Sequence, residues 1–128
     1  MPTATIAIPP MTEHVRVARM VAGAAARRGR VPEDLIDEVR LAVGEAVARV
    51  VLRHRRAGIS EDVEVSLRDD PEAFEVEIID RTPVDVPDDD DGLSVALTAS
   101  LVPQSSVSPA NGHQRIRLVW PLDDLLAD

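Results

Sequence analysis

Hydrophobic positions change their period several times along the chain, and each change marks an element. From Thr3 to Ile8 they alternate with small residues, which predicts a short strand that Pro9-Pro10 ends. Val15, Ala18, Ala22 and Ala25 then recur at three- and four-residue steps, the signature of a helix with one apolar face. Thr12 is placed to cap it, Glu13 suits its positive end, Arg27, Arg28 and Arg30 suit its negative end, and Gly29 marks the exit. The clearest helical period runs through Leu35, Val39, Ala42, Val43, Ala46, Val47, Val50 and Val51, about five turns. Pro32 and a cluster of acids open this helix, Arg53, Arg55 and Arg56 close it, and Gly58 ends it.

At Asp62 the period becomes two. Val63, Val65 and Leu67, then Phe74, Val76 and Ile78, predict a hairpin with one face in water, turning at Asp69-Asp70-Pro71-Glu72. Residues 81–92 hold two prolines and five aspartates without periodicity and are expected to form a loop. A short helix is expected from Gly92 to Val102, a second polar loop from Pro103 to Gly112, and a last strand from His113 to Trp120. In that strand Ile116, Leu118 and Trp120 face one way and Arg115 and Arg117 the other. The order predicts an α+β, two-layer α/β sandwich: one domain over residues 1–122, its helices on one face of the sheet, and a short tail at 123–128.

Composition narrows the chemistry. All 14 basic residues are arginines, cysteine and tyrosine are absent, and Phe74 and Trp120 are the only aromatics. The chain therefore has no lysine for a Schiff base or a Walker-type P-loop and no thiol for catalysis or zinc. A formal net charge of −9, with residues 85–91 supplying five of the aspartates, disfavours direct nucleic-acid binding. No apolar run approaches the roughly 18 residues that span a bilayer, so a cytoplasmic protein without membrane contact is expected. His14, His54 and His113 lack ligand spacing, and the aspartate run fails the calcium-loop pattern, so no metal site is expected.

The most informative stretch is Leu41-Ala42-Val43-Gly44-Glu45-Ala46-Val47-Ala48-Arg49, where an acid sits inside an otherwise apolar helix. Spacing alone permits an ordinary Glu45–Arg49 pair one turn apart. The stretch also resembles the helix motif of bacterial anti-sigma factor serine kinases of the histidine kinase-like ATPase superfamily. That motif reads leucine-alanine-valine-serine-glutamate-alanine-valine-threonine-asparagine, with a histidine a few residues on, a role that His54 fills here. Ala18-Arg19, the strand Glu75 to Asp80, Gly92-Leu93 and Arg115-Ile116-Arg117-Leu118 extend the resemblance over nearly the whole chain, in the family's order.

The resemblance implies the histidine kinase-like fold with a mixed sheet, and a homodimer. It implies Glu45 as the group that polarises an attacking hydroxyl, Asp80 as the reader of the adenine amino group and Gly92 as part of a phosphate-approaching box. Arg49 stands where the magnesium-binding asparagine belongs, and Asp80-Arg81-Thr82-Pro83-Val84 lacks both glycines of the aspartate box. A cation cannot ligate magnesium, although it can meet a phosphate directly. The resulting expectation is an anti-sigma-factor-like regulator, a pseudo-kinase with degenerate nucleotide boxes and no cofactor, that binds a sigma factor, an anti-sigma factor antagonist, or both. Arg19, Arg16 and His14 on the first helix are the expected contact residues. Two alternatives remain: an active ATP- and magnesium-dependent serine kinase acting on the antagonist, and a sensor of another small anion in the altered pocket.

Overall fold

A computed structural model describes residues 3–83 and 92–122, apart from the side chains of residue 3 and residues 92–95. The acidic stretch 85–91 and the tail 123–128 lie outside the described residues. The elements follow the order β1 (Thr3–Ile8), α1 (Val15–Arg28), α2 (Ile36–Arg56), β2 (Val63–Asp69), β3 (Ala73–Asp80), α3 (Gly92–Leu101), β4 (Gln104–Ala110) and β5 (His113–Pro121). Short 3-10 turns at Thr12–His14 and Glu33–Leu35 lead into α1 and α2. Thr12 does not cap α1. The chain enters through the 3-10 turn, and the backbone carbonyl of Met11 accepts the His14 N–H at 3.1 Å.

Five strands form one sheet in the order β1-β2-β3-β5-β4. The expectation of a mixed sheet is corrected: every pairing is antiparallel. β3 and β4 run the same way, but α3 carries the chain past the next position to the edge, and β5 then fills the gap between them. The polar loop expected at residues 103–112 is also corrected, because residues 104–110 are the edge strand β4. Only one of its flanks is paired, and its residues are exposed apart from a half-buried Ala110, so nothing there demanded an apolar alternation. Asn111 and Gly112, at φ 52° and 86°, make the two-residue turn into β5, the positive-φ pair that matches the twist of a hairpin.

The core lies between the helices and one face of the sheet. Val63, Val65 and Leu67, then Phe74, Val76 and Ile78, then Ile116, Leu118 and Trp120 turn inward with period two. They meet Ala18, Ala22 and Ala26 of α1 and Val39, Val43, Val47 and Val50 of α2. The other face of the sheet carries Arg68–Glu75, Arg117–Glu75 and Arg115–Glu77 cross-strand pairs. Such pairs contribute only about 0–1 kcal/mol each, so this face is kept soluble rather than held together by them.

Two glycines let α1 and α2 approach. A Cβ at Gly23 would lie 2.9 Å from Arg40 Cδ, and one at Gly44 would lie 2.9 Å from Arg19 Cγ and 3.0 Å from Arg19 Cδ. Each helix thus lays an arginine stem across a glycine of the other. At the end of α1 the left-handed residue is Arg30, at φ 67°, rather than Gly29. Gly29 is needed for closeness: a Cβ there would come within 2.9 Å of Asp69 Cβ on β2. Among the described residues no helix is long and apolar enough to cross a membrane.

Candidate functional site

Strand parity decides where Asp80 points. It follows Phe74, Val76 and Ile78 on the inward face of β3, so its carboxylate enters the core and is fully buried. Helix periodicity does the same for Arg53, three residues after buried Val50, which leaves it 4% exposed on the core side of α2. The two charges meet there: Arg53 Nε donates to Asp80 Oδ2 at 2.6 Å. Oδ1 of the same carboxylate accepts the Thr82 backbone N–H at 2.9 Å. Each ion would cost several kcal/mol to bury alone, and here each oxygen of the carboxylate has a donor.

His54, also fully buried, completes the cluster. Its Nδ1 lies 3.1 Å from the Glu61 carbonyl oxygen and its Nε2 accepts the Arg81 N–H at 3.0 Å. A carbonyl only accepts and an amide N–H only donates, so the ring carries its hydrogen on Nδ1 and is neutral. Nε2 also lies 3.7 Å from Asp80 Oδ1, but with its lone pair committed to Arg81 it forms no ion pair there. Arg81 reaches outward instead, to Glu64 at 2.6 Å and Glu61 at 3.7 Å. The cluster thereby ties the end of α2 to the end of β3 and to the segment after it.

Arg49 lies one turn before Arg53 and lines a different space. It and Ala46 form one wall of a cleft of about 210 Å³, closed by α3 at Thr98 and by Ser105 of β4 over Ile116 and Leu118 of β5. Glu45, on the same helix, is half-buried and does not line this cleft. Gly92 begins α3. Among the described residues no group of three or more His, Asp or Glu side chains is placed to hold a metal ion.

The residues expected to contact a partner sit on a separate surface. Arg16 and Arg19 are exposed on α1, and His14 is half-buried at its start. Met20 follows Arg19 and is 60% exposed, and Leu41 follows Arg40 on α2 and is 44% exposed. The structure therefore divides the expected site residues into three places: Asp80 in the core cluster, Arg49 in the cleft, and Arg16 and Arg19 on the outer helix face. By charge alone Arg53 belongs with Arg55 and Arg56 to a basic rim that closes α2. Arg55 and Arg56 are exposed, but Arg53 is not part of that rim. The signal that identifies it is a pair of opposite charges, each at a core-facing position of its own element.

A two-layer domain of this topology, with an acid in its central helix and an aspartate ending its central strand, belongs to the histidine kinase-like ATPase domain family, whose match covers residues 8–120. Among solved structures the chain is similar to the RsbU and RsbW domains of Rv1364c from Mycobacterium tuberculosis, with a TM-score of 0.71 and 16% identity over 94% of this chain. It spans about a third, 32%, of that longer chain. At this identity the likeness concerns the fold. No curated protein matches the chain.

Proposed function

We propose that this chain is an anti-sigma-factor-like, partner-switching regulator that acts by protein association and has lost, wholly or largely, the recognition of ATP. The observation that carries this reading is the buried Arg53–Asp80 pair. An aspartate that reads an adenine amino group must be open to the ligand, whereas Asp80 is fully buried, with Oδ2 held by the Arg53 guanidinium at 2.6 Å and Oδ1 by a backbone N–H. An adenine arriving there would have to enter the packed core and compete with the arginine for a buried carboxylate. Arg49 adds a second obstacle, since a guanidinium has no lone pair for magnesium. The residues present do not fit magnesium-ATP, and no catalytic role is assigned to Glu45.

Association is supported by the outer face of α1 and α2. Exposed Arg16 and Arg19 beside exposed Met20 and Leu41 combine arginine with apolar area, the composition that distinguishes interface centres from ordinary surface. The family resemblance makes a sigma factor or its antagonist the expected partner, and a homodimer the expected assembly. Immobilised protein tested against purified sigma factors and antagonist proteins of its own organism decides the matter. Arg19→Glu should abolish capture with an unchanged circular dichroism spectrum, and undiminished capture by that variant would overturn the proposal.

A further inference from the structure

We propose that α1 and α2 together form a two-armed clamp for an acidic helix of the partner protein, with Arg40 as the second arm beside Arg19; the clamp presupposes that this outer face is the partner-binding one. The same five-residue pattern occurs on both helices, as Arg19-Met20-Val21-Ala22-Gly23 and as Arg40-Leu41-Ala42-Val43-Gly44. In each, an arginine is followed by an apolar residue and, one helical turn on, by a glycine. Folding sets the two copies against one another. The Arg40 stem lies on Gly23, where a Cβ would come within 2.9 Å of its Cδ, and the Arg19 stem lies on Gly44, where a Cβ would come within 2.9 Å of its Cγ. Each arginine thus crosses to the glycine of the other copy, so the helices run antiparallel here and the patch has a local two-fold axis. Met20 and Leu41, exposed next to their arginines, are the matching apolar pair.

The occupant follows from charge and spacing. Arg40 and Gly44 are four residues apart, so the two arginine stems cross between the helices about 6 Å apart, at 1.5 Å per residue. Carboxylates four residues apart on a helix have the same rise between them and share one face. A helix laid along this groove can therefore offer one carboxylate to each guanidinium, with an aliphatic side chain between them against Met20 and Leu41. Arg16 extends the basic side of α1 by a turn. Arg40 Nη1 lies 3.7 Å from Asp37 Oδ1, but that carboxylate is 94% exposed, and a partner's carboxylate can replace so loose a pair. Among the described residues Arg16 and Arg19 form no ion pair, whereas Arg28, Arg68, Arg115 and Arg117 each face a carboxylate. A second copy meeting this patch with its own would set arginine against arginine. Nucleic acid would match the arginines but leave Met20 and Leu41 uncovered.

Surface plasmon resonance against purified sigma factors and antagonist proteins of its own organism tests the clamp. Arg40→Ala should weaken capture at least about tenfold, the value of one charge-assisted contact. Arg115→Ala, an equal change of charge on the outer face of the sheet, should alter it less than about twofold. Gly23→Ala should also weaken capture, because its methyl group takes the place of the Arg40 stem. In the captured partner, alanine at one acidic pair four residues apart on a helix should cause a loss that is not additive with Arg40→Ala. Single-stranded DNA should not compete. If Arg19→Glu abolishes capture while Arg40→Ala leaves it unchanged, the clamp is overturned and the surface assignment stands. Competition by DNA, or additivity with every acidic pair of the partner, would also overturn the clamp. Undiminished capture by Arg19→Glu, or no capture by the unaltered protein, would overturn both.

Discussion

Removing Arg53 probes the structural centre of this account. Arg53→Met keeps most of the side-chain volume and leaves Asp80 as a buried carboxylate whose described donor is the Thr82 N–H. Breaking a buried pair in this way costs about 3–5 kcal/mol, because the remaining charge has lost its water and its partner. Against a total stability of about 5–15 kcal/mol, that is a large fraction from one side chain. At about 4 °C per kcal/mol for a domain of this size, the melting temperature should fall by roughly 12–20 °C. Asp80→Asn should also destabilise the protein, because the buried arginine loses the carboxylate it bonds at 2.6 Å. The double variant Arg53→Met/Asp80→Asn removes both charges, and the asparagine carbonyl can still accept the Thr82 N–H. It should cost about 2–3 kcal/mol less than the sum of the two single changes in a double-mutant cycle. Urea unfolding with a common m-value for all four proteins is the suitable assay. A loss below about 1 kcal/mol for Arg53→Met, or additivity of the two single changes, would refute the reasoning.

Further consequences are local. Arg30 holds a positive φ without being glycine, so Arg30→Gly should stabilise the protein by about 0.5–1 kcal/mol, read as a higher urea midpoint. Gly112→Ala imposes a side chain at φ 86° in the β4–β5 turn and should cost about 1–2 kcal/mol by the same measurement. Gly44→Ala sets about 1 kcal/mol of helix propensity against a clash with the Arg19 stem, whose Cγ would lie 2.9 Å from the new methyl group, so stability should change by less than about 1 kcal/mol. It should nevertheless displace Arg19 and weaken partner capture, and capture at the original strength would show that the position of Arg19 on α2 is immaterial. Long-range proton–nitrogen NMR should find His54 as the neutral tautomer with its hydrogen on Nδ1. A spectrum with both ring nitrogens protonated at neutral pH would contradict the bonds to Glu61 and Arg81.

Where side-chain burial dictates the pattern, the sequence displays it. The apolar spacing of α2 and the parity of β2 and β3 follow from residues that must face a core, Gly58 follows from the positive φ that ends α2, and all three agree with the structure. β4 escaped because an edge strand with exposed side chains has no apolar period to display. Asn111-Gly112 was its one local signal, as the turn pair that hairpins favour. The strand order was illegible for a related reason, since whether β5 enters beside β3 or beyond β4 leaves the burial pattern of each strand unchanged. The site was only partly readable. Arg16 and Arg19 are exposed on α1, and Asp80 ends its strand where the resemblance put it. Its bond to Arg53 joins residues 27 positions apart on different elements, and only the packing of α2 over β3 makes them neighbours.

In the proposed function this member of an ATPase fold family works by association, with Asp80 held by Arg53 of its own core. Isothermal titration of the intact protein with magnesium-ATP tests that claim most directly. The account predicts no saturable heat up to millimolar nucleotide. Low-micromolar binding that Asp80→Ala abolishes would contradict it and would return the chain to the active kinases.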